Sequence, residues 1–187
     1  MNNEEDILKS GSISALNKLI AACKRCSLYK TKNCDVSGGG NLKAKILFIG
    51  EAPGKDEDLK GKPFVGRAGK LLDELFLSIK MSREKVFITN LVKHRPPKNR
   101  KPQKKELKEC LPYLLKQIEI IKPELIVLLG SFSLSVFFPK EKISKSHGQF
   151  LKKDNQIYLS LYHPAAVIYN QKLKKTLIRD FKKNKGL

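Results

Sequence analysis

Three short stretches of the chain are apolar almost without interruption: Lys45-Ile46-Leu47-Phe48-Ile49-Gly50, Val86-Phe87-Ile88-Thr89-Asn90 and Leu125-Ile126-Val127-Leu128-Leu129-Gly130. Unbroken aliphatic and β-branched runs of this length suit strands covered on both faces, as in a parallel sheet. A fourth run, Gln156-Ile157-Tyr158-Leu159-Ser160-Leu161-Tyr162, alternates more and reads as an edge strand. Between the runs the apolar period changes to that of a helix. Arg67 to Lys80 carries apolar residues at 71, 72, 75, 76 and 79, a single stripe. Pro102 to Lys122 places 107, 111, 114, 115, 118 and 121 on one face, with Pro112 inside it predicting a kink or a break. Lys172 to Lys183 turns Leu173, Leu177, Ile178 and Phe181 inward and its lysines outward. Ser14 to Ala22 is also helical in pattern. Strands alternating with helices predict an α/β fold, a three-layer α/β/α sandwich on a central four-stranded, mainly parallel sheet. Residues 1–187 are expected to form a single domain, with 1–12 outside the ordered body.

In open parallel sheets, ligands bind beyond the carboxyl ends of the strands. Those ends carry Gly50-Glu51-Ala52-Pro53-Gly54, Asn90 and His163-Pro164. A carboxylate, a carboxamide and an imidazole are therefore expected on one rim. The glycine-containing loop lacks the Lys-Ser/Thr of a nucleotide-triphosphate P-loop, which argues against that chemistry.

Charge narrows the partner. The 187 residues hold 38 Lys+Arg against 18 Asp+Glu, a formal +20, more than solubility needs. Such an excess suits a polyanion whose counterions are released on binding. No apolar run approaches the roughly 20 residues that span a bilayer. The acidic start Met1-Asn2-Asn3-Glu4-Glu5-Asp6 does not read as a signal peptide, so the expected location is cytoplasmic, associated with the nucleoid. In that compartment Cys23, Cys26, Cys34 and Cys110 are not expected to pair as disulfides. Cys23-Lys24-Arg25-Cys26 follows a helical stretch and leads toward Ser37-Gly38-Gly39-Gly40-Asn41, whereas a redox pair would open a helix after a strand. Half of a metal site is the better reading.

Taken in order with Gly61-Lys62-Pro63-Phe64-Val65-Gly66-Arg67-Ala68-Gly69, Thr89-Asn90-Leu91-Val92-Lys93 and His163-Pro164-Ala165, the Gly-Glu-Ala-Pro-Gly segment closely resembles the family 4, iron–sulfur uracil-DNA glycosylases. The resemblance runs from about Cys23 to about Lys183. It implies an enzyme that flips uracil out of single- or double-stranded DNA and hydrolyses its N-glycosidic bond, leaving an abasic site for base excision repair. It implies uracil contacts from Glu51, Ala52, Pro53, Phe64, Asn90 and His163. Asn90 would read N3–H and O4, Phe64 would stack on the ring, His163 would hydrogen-bond O2, and Glu51 would orient the attacking water and face the cationic sugar. Glu57 would wall off the thymine methyl group. Val167 falls where the family carries its intercalating wedge, with a smaller side chain than most members. Without the resemblance, Phe64 reads equally as core, Asn90 as a strand end, Glu51 as a turn cap and His163 as a loop residue satisfied by backbone. Lys98, Arg100, Lys101, Lys104 and Lys105 form either a solvated basic loop or a contact to DNA phosphates. His147 matches nothing in the family and reads as a surface residue.

The resemblance also implies a [4Fe–4S] cluster held by four cysteines. Cys23, Cys26 and Cys110 match three of them, and the remaining position falls on His94, since imidazole can replace thiolate on iron. Cys34 is the rival fourth ligand, and a labile or three-liganded cluster is the remaining alternative. A related branch that traps uracil-DNA covalently needs a further histidine in a Lys/Arg-rich insertion that this chain lacks, so ordinary turnover is expected. The expected partner is uracil-containing DNA, bound by a monomer, with a sliding clamp left open. Two other functions compete: a DNA-binding homologue without catalysis, against which Glu51, Asn90 and His163 argue, and an iron–sulfur electron carrier on a flavodoxin-like sheet, which lacks its phosphate loop.

Overall fold

Successive residues of the apolar runs point to opposite faces of a sheet, and each face meets its own layer of helices. The computed structural model describes residues 4–168 and 170–184. Its elements are α1 (Glu4–Lys9), α2 (Ile13–Ala21), β1 (Gly39–Gly40), β2 (Ile46–Gly50), α3 (Lys55–Lys60), α4 (Arg67–Ser78), β3 (Phe87–Asn90), α5 (Lys104–Ile121), β4 (Leu125–Leu129), α6 (Gly130–Phe137), α7 (Ile143–Ser146), β5 (Phe150–Lys153), β6 (Gln156–Leu161), α8 (Pro164–Val167) and α9 (Gln171–Lys183). Ile46, Phe48, Ile88, Val127 and Leu159 pack with Leu72 and Phe76 of α4 and Leu177 and Phe181 of α9. Leu47, Ile49, Phe87, Ile126 and Leu128 pack on the other side with Ile13 of α2, Leu114 of α5 and Leu134 of α6. Burial on both faces is why these strands lack a polar alternation.

The sheet order is β1-β3-β2-β4-β6-β5. Its middle four strands are parallel, as expected, but antiparallel β1 and β5 extend it to six. The fourth apolar run is therefore not an edge. β6 pairs with β4 on one side and on the other with β5, through a two-residue turn in which Asp154 and Asn155 both take positive φ, 49° and 62°. This is the twist-compatible hairpin geometry. Helix α5 runs unbroken through Pro112. The ring sits on a part-exposed face, where water can take the Lys108 carbonyl that loses its intrahelical partner. Of the stretch 1–12 placed outside the ordered body, residues 1–3 lie outside the described residues, and the rest carries α1, whose Ile7 is fully buried beside Leu16, Ile20 and Tyr113.

From β2 the chain moves to β3 on one side and then, through α5, to β4 on the other. That reversal opens a crevice at the carboxyl ends of the strands.

Candidate active site

The crevice is a cleft of about 590 Å³, and it gathers residues from four strand ends. Glu51 follows β2, Asn90 closes β3, Gly130 and Ser131 follow β4, and Tyr162 and His163 follow β6. Ala52, Pro53, Glu57 and Phe64 line it as well, so the rim expected from the sequence is brought together.

Asn90 is 1% exposed, and its Oδ1 has no hydrogen-bond partner among the described residues. A buried carboxamide oxygen left unpaired costs free energy unless something enters to satisfy it. Its backbone is held firmly: Lys93, also buried, donates through Nζ to the Asn90 carbonyl, to Thr89 Oγ1 and to Gln117 Oε1, each at 2.7 Å. Burial lowers the Lys93 pKa to about 8. Gly50 lies directly opposite. A Cβ at that position would collide with Asn90 Oδ1 and with the edge of the Phe64 ring, so the slot exists because residue 50 has no side chain.

His163 caps the short helix α8, where its Nδ1 accepts from the backbone N–H of Ala165 at 3.1 Å. An amide can only donate, so Nδ1 carries the lone pair and Nε2 carries the proton. The ring lies 5.6 Å from the Phe64 ring, and desolvation lowers its pKa to about 4. Above that pH the imidazole is neutral and presents an N–H donor. Burial raises the pKa of Glu51, and the charge of Lys101 across the cleft partly offsets the shift.

Glu57 is engaged otherwise than expected. Its carboxylate accepts from the backbone N–H groups of Gly54 at 3.0 Å and of Val65 and Gly66 at 2.8 Å. It lines the cleft, but its oxygens are occupied in tying the loop after β2 to the loop carrying Phe64. Val167 requires a correction. It is fully buried and packs with Leu177 and Phe181, because the fourth position of α8 faces the sheet. A side chain in that place does not reach a DNA stack. Exposed Ala165 and Ala166 and half-buried Leu173 border the cleft instead.

Pro96, Asn99, Arg100 and Lys101 form another wall of the cleft. The turn there has two consecutive left-handed residues, Lys98 and Asn99, and is fastened by Arg95 Nε donating to Asn99 Oδ1 at 2.7 Å. Arg100 makes a paired contact with the buried carboxylate of Glu106, at 2.8 and 2.6 Å, which anchors the turn to α5. Gly130, Ser131 and Tyr162 were missed in the sequence. The strand-end rule applied to β4 would have found the first two. His147, expected to be a plain surface residue, is half-buried: its Nδ1 lies 2.6 Å from Asp180 Oδ2 and its ring lies 4.7 Å from that of Tyr162, tilted by 31°.

Behind Asn90 lies a second, apolar recess, lined by Cys23, Cys26, His94 and Cys110 together with Ile20, Leu28 and Val92. Burial raises the Cys26 thiol and pushes the Cys110 thiol up to about 12. Burial and the Lys32 ammonium, whose Nζ is 3.2 Å from Nε2, lower His94 to about 4, and a backbone hydrogen bond with Ile20 opposes them. Cys34 is elsewhere, its Sγ 3.9 Å from the Leu59 carbonyl at the end of α3. Among the described residues no three donors converge on one point as a single ion requires. Three thiols and an imidazole are instead spread around one recess, whose lining also includes Arg25, Lys93 and Glu109. That donor set suits a polynuclear iron–sulfur group, which takes soft thiolates and is stabilised by an apolar shell.

The sequence matches the model of the Uracil DNA glycosylase superfamily over residues 37–183. It is 49% identical over 176 residues to the Type-4 uracil-DNA glycosylase of Saccharolobus solfataricus, covering 89% of this chain and 82% of that one. It is 45% identical to the Type-4 uracil-DNA glycosylase of Archaeoglobus fulgidus, over 92% of this chain and 91% of the relative. To that of Sulfurisphaera tokodaii it is 44% identical, over 94% and 84%. Among the described residues no helix is long and apolar enough to cross a membrane.

Proposed function

The chain belongs to the uracil-DNA glycosylase superfamily, and from that premise we propose how its single domain performs the reaction. It is a uracil-DNA glycosylase, a hydrolase of DNA repair. The observation that carries the proposed mechanism is the unpartnered, buried Oδ1 of Asn90. A uracil swung into the cleft would donate N3–H to that oxygen and accept at O4 from the Asn90 amide. Cytosine offers the reverse pattern at both atoms and leaves the carboxamide unpaired. Phe64 stacks on the flipped ring. His163, neutral and protonated on Nε2, donates to uracil O2 as negative charge gathers there. The bond between C1′ and N1 breaks with its electron pair going to uracil, and water bonds to C1′. Glu51 orients that water, takes its proton and faces the cationic sugar. Its raised pKa makes it a better base than an ordinary carboxylate.

Cys23, Cys26, His94 and Cys110 would hold a [4Fe–4S] cluster, which would supply a structural cross-link between α2, α5 and the segment after Asn90. The thiols would bind it as thiolates. The basic turn 98–101 supports contact with DNA phosphates. Incubation with a uracil-containing oligonucleotide tests the reading: the product should be an abasic site that breaks only after alkali. Strand cleavage by the protein without alkali would contradict it, because no residue here is assigned to lyase chemistry.

A further inference from the structure

Phe64 is an aromatic residue with φ at +52°, a left-handed backbone that a bulky side chain adopts only under constraint. Three successive peptide groups around it are gripped from outside. The carbonyls of Pro63 and Phe64 both accept from the guanidinium of Arg83, the second at 2.7 Å. The N–H groups of Val65 and Gly66 both donate to Glu57, at 2.8 Å. Arg83 comes from the turn before β3, and Asp73 of α4 aims it at 3.1 Å. Helix α4 presses on the same peptide: a Cβ on Gly69 would collide with the Phe64 carbonyl.

We propose that Arg83, which does not line the cleft, is a positioning residue: with Glu57 it clamps residues 63–66 and holds the Phe64 ring in the uracil slot. The proposal rests on the reading of Phe64 as the stacking residue. Arg83 and Glu57 act on opposite polarities of one short loop, one supplying donors and the other acceptors. Neither alone specifies the conformation, because a loop held only by its N–H groups can still rotate about Phe64. Released on the carbonyl side, the backbone would relax toward negative φ. That rotation swings the ring away from Gly50 and His163, the two residues it now faces. Arg83 is one-third exposed and touches no base-binding atom, so its effect has to pass through Phe64.

The test is a double-mutant cycle of Arg83→Met and Phe64→Ala, read as kcat/KM on a uracil oligonucleotide, with Arg83→Lys as a milder variant. Backbone strain of this class can shift populations by about tenfold, so Arg83→Met should lower kcat/KM by about that factor. It should leave the affinity for undamaged duplex unchanged, and Arg83→Lys should recover part of the loss. In the Phe64→Ala background Arg83→Met should have no further effect; the same loss in both backgrounds would overturn the proposal. The Cα and Cβ chemical shifts of Phe64 report its backbone directly. They should move toward negative-φ values in Arg83→Met, and to a lesser degree in Arg83→Lys; unchanged shifts would also overturn it. Should Phe64→Ala keep full activity while the shifts move as expected, the clamp stands and the stacking role is what fails.

Discussion

The proposed uracil slot and the thiol recess both draw on one short segment, 89–94, and are completed in different ways. The slot is built from strand ends and backbone. Asn90 is fixed by its ladder position and by Lys93, His163 by its cap on α8, and Phe64 by the hydrogen bonds of its loop. Among the described residues the Asn90 oxygen is left as a buried acceptor without a partner. The recess is built from loops and helix faces that the sheet does not order directly, and at Cys110 burial outweighs the opposing charge of Lys93. A preorganised polar slot discriminates between ligands, whereas a recess lined by deprotonable thiols gains its stability only when a cation group arrives.

If the slot alone carries discrimination, Asn90→Ala should lower kcat/KM by roughly four orders of magnitude, the range seen when a site loses its hydrogen-bonding partner for a substrate. Affinity for DNA should barely change, because it is mostly phosphate charge. Equal losses in both would put the recognition elsewhere. The recess should respond in the opposite sense. His94→Ala should yield protein with oxygen-labile iron, a lower Tm and weakened activity, measured by iron content and thermal melting. His94→Cys should keep about four irons and lower the cluster potential, since thiolate donates more charge than imidazole.

The pH profile sharpens the contrast. Glu51 must be ionised to act, and burial raises its pKa, so kcat/KM should fall on the acid side at a pH above the ordinary carboxylate range. His163 remains neutral down to about pH 4, so it adds no limb near neutrality. Lys101→Met removes a charge that favours the carboxylate, and should move the acid limb to higher pH. A carboxyl whose folded pKa is raised loses stability as pH climbs from its unfolded to its folded value. Glu51→Gln should therefore raise Tm at neutral pH while abolishing turnover. The smallest effect belongs to Cys34→Ser, which should change neither iron content nor activity, because that thiol sits against Leu59 outside the recess. Loss of iron in this variant would transfer the fourth ligand from His94 to Cys34.

Much of this was legible in the sequence, for a local reason. Burial on both faces writes itself as an unbroken apolar run, and chemistry at strand ends follows directly after each run. Glu51, Asn90 and His163 could therefore be placed on one rim before any contact was known. Composition alone pointed to a polyanion. Tertiary structure decided what depends on partners distant in the chain. It covered β6 with a hairpin strand and drew Ile7 onto α5. It turned Val167 into the core, because the four-residue helix α8 has only one face toward the sheet. It spent the oxygens of Glu57 on three amides, paired His147 with Asp180 across 33 residues, and brought Arg83 to the carbonyls of Pro63 and Phe64. Periodicity records how much water a position sees. Which atom meets which is settled only when the layers close, and the specificity of the uracil slot lives in those meetings.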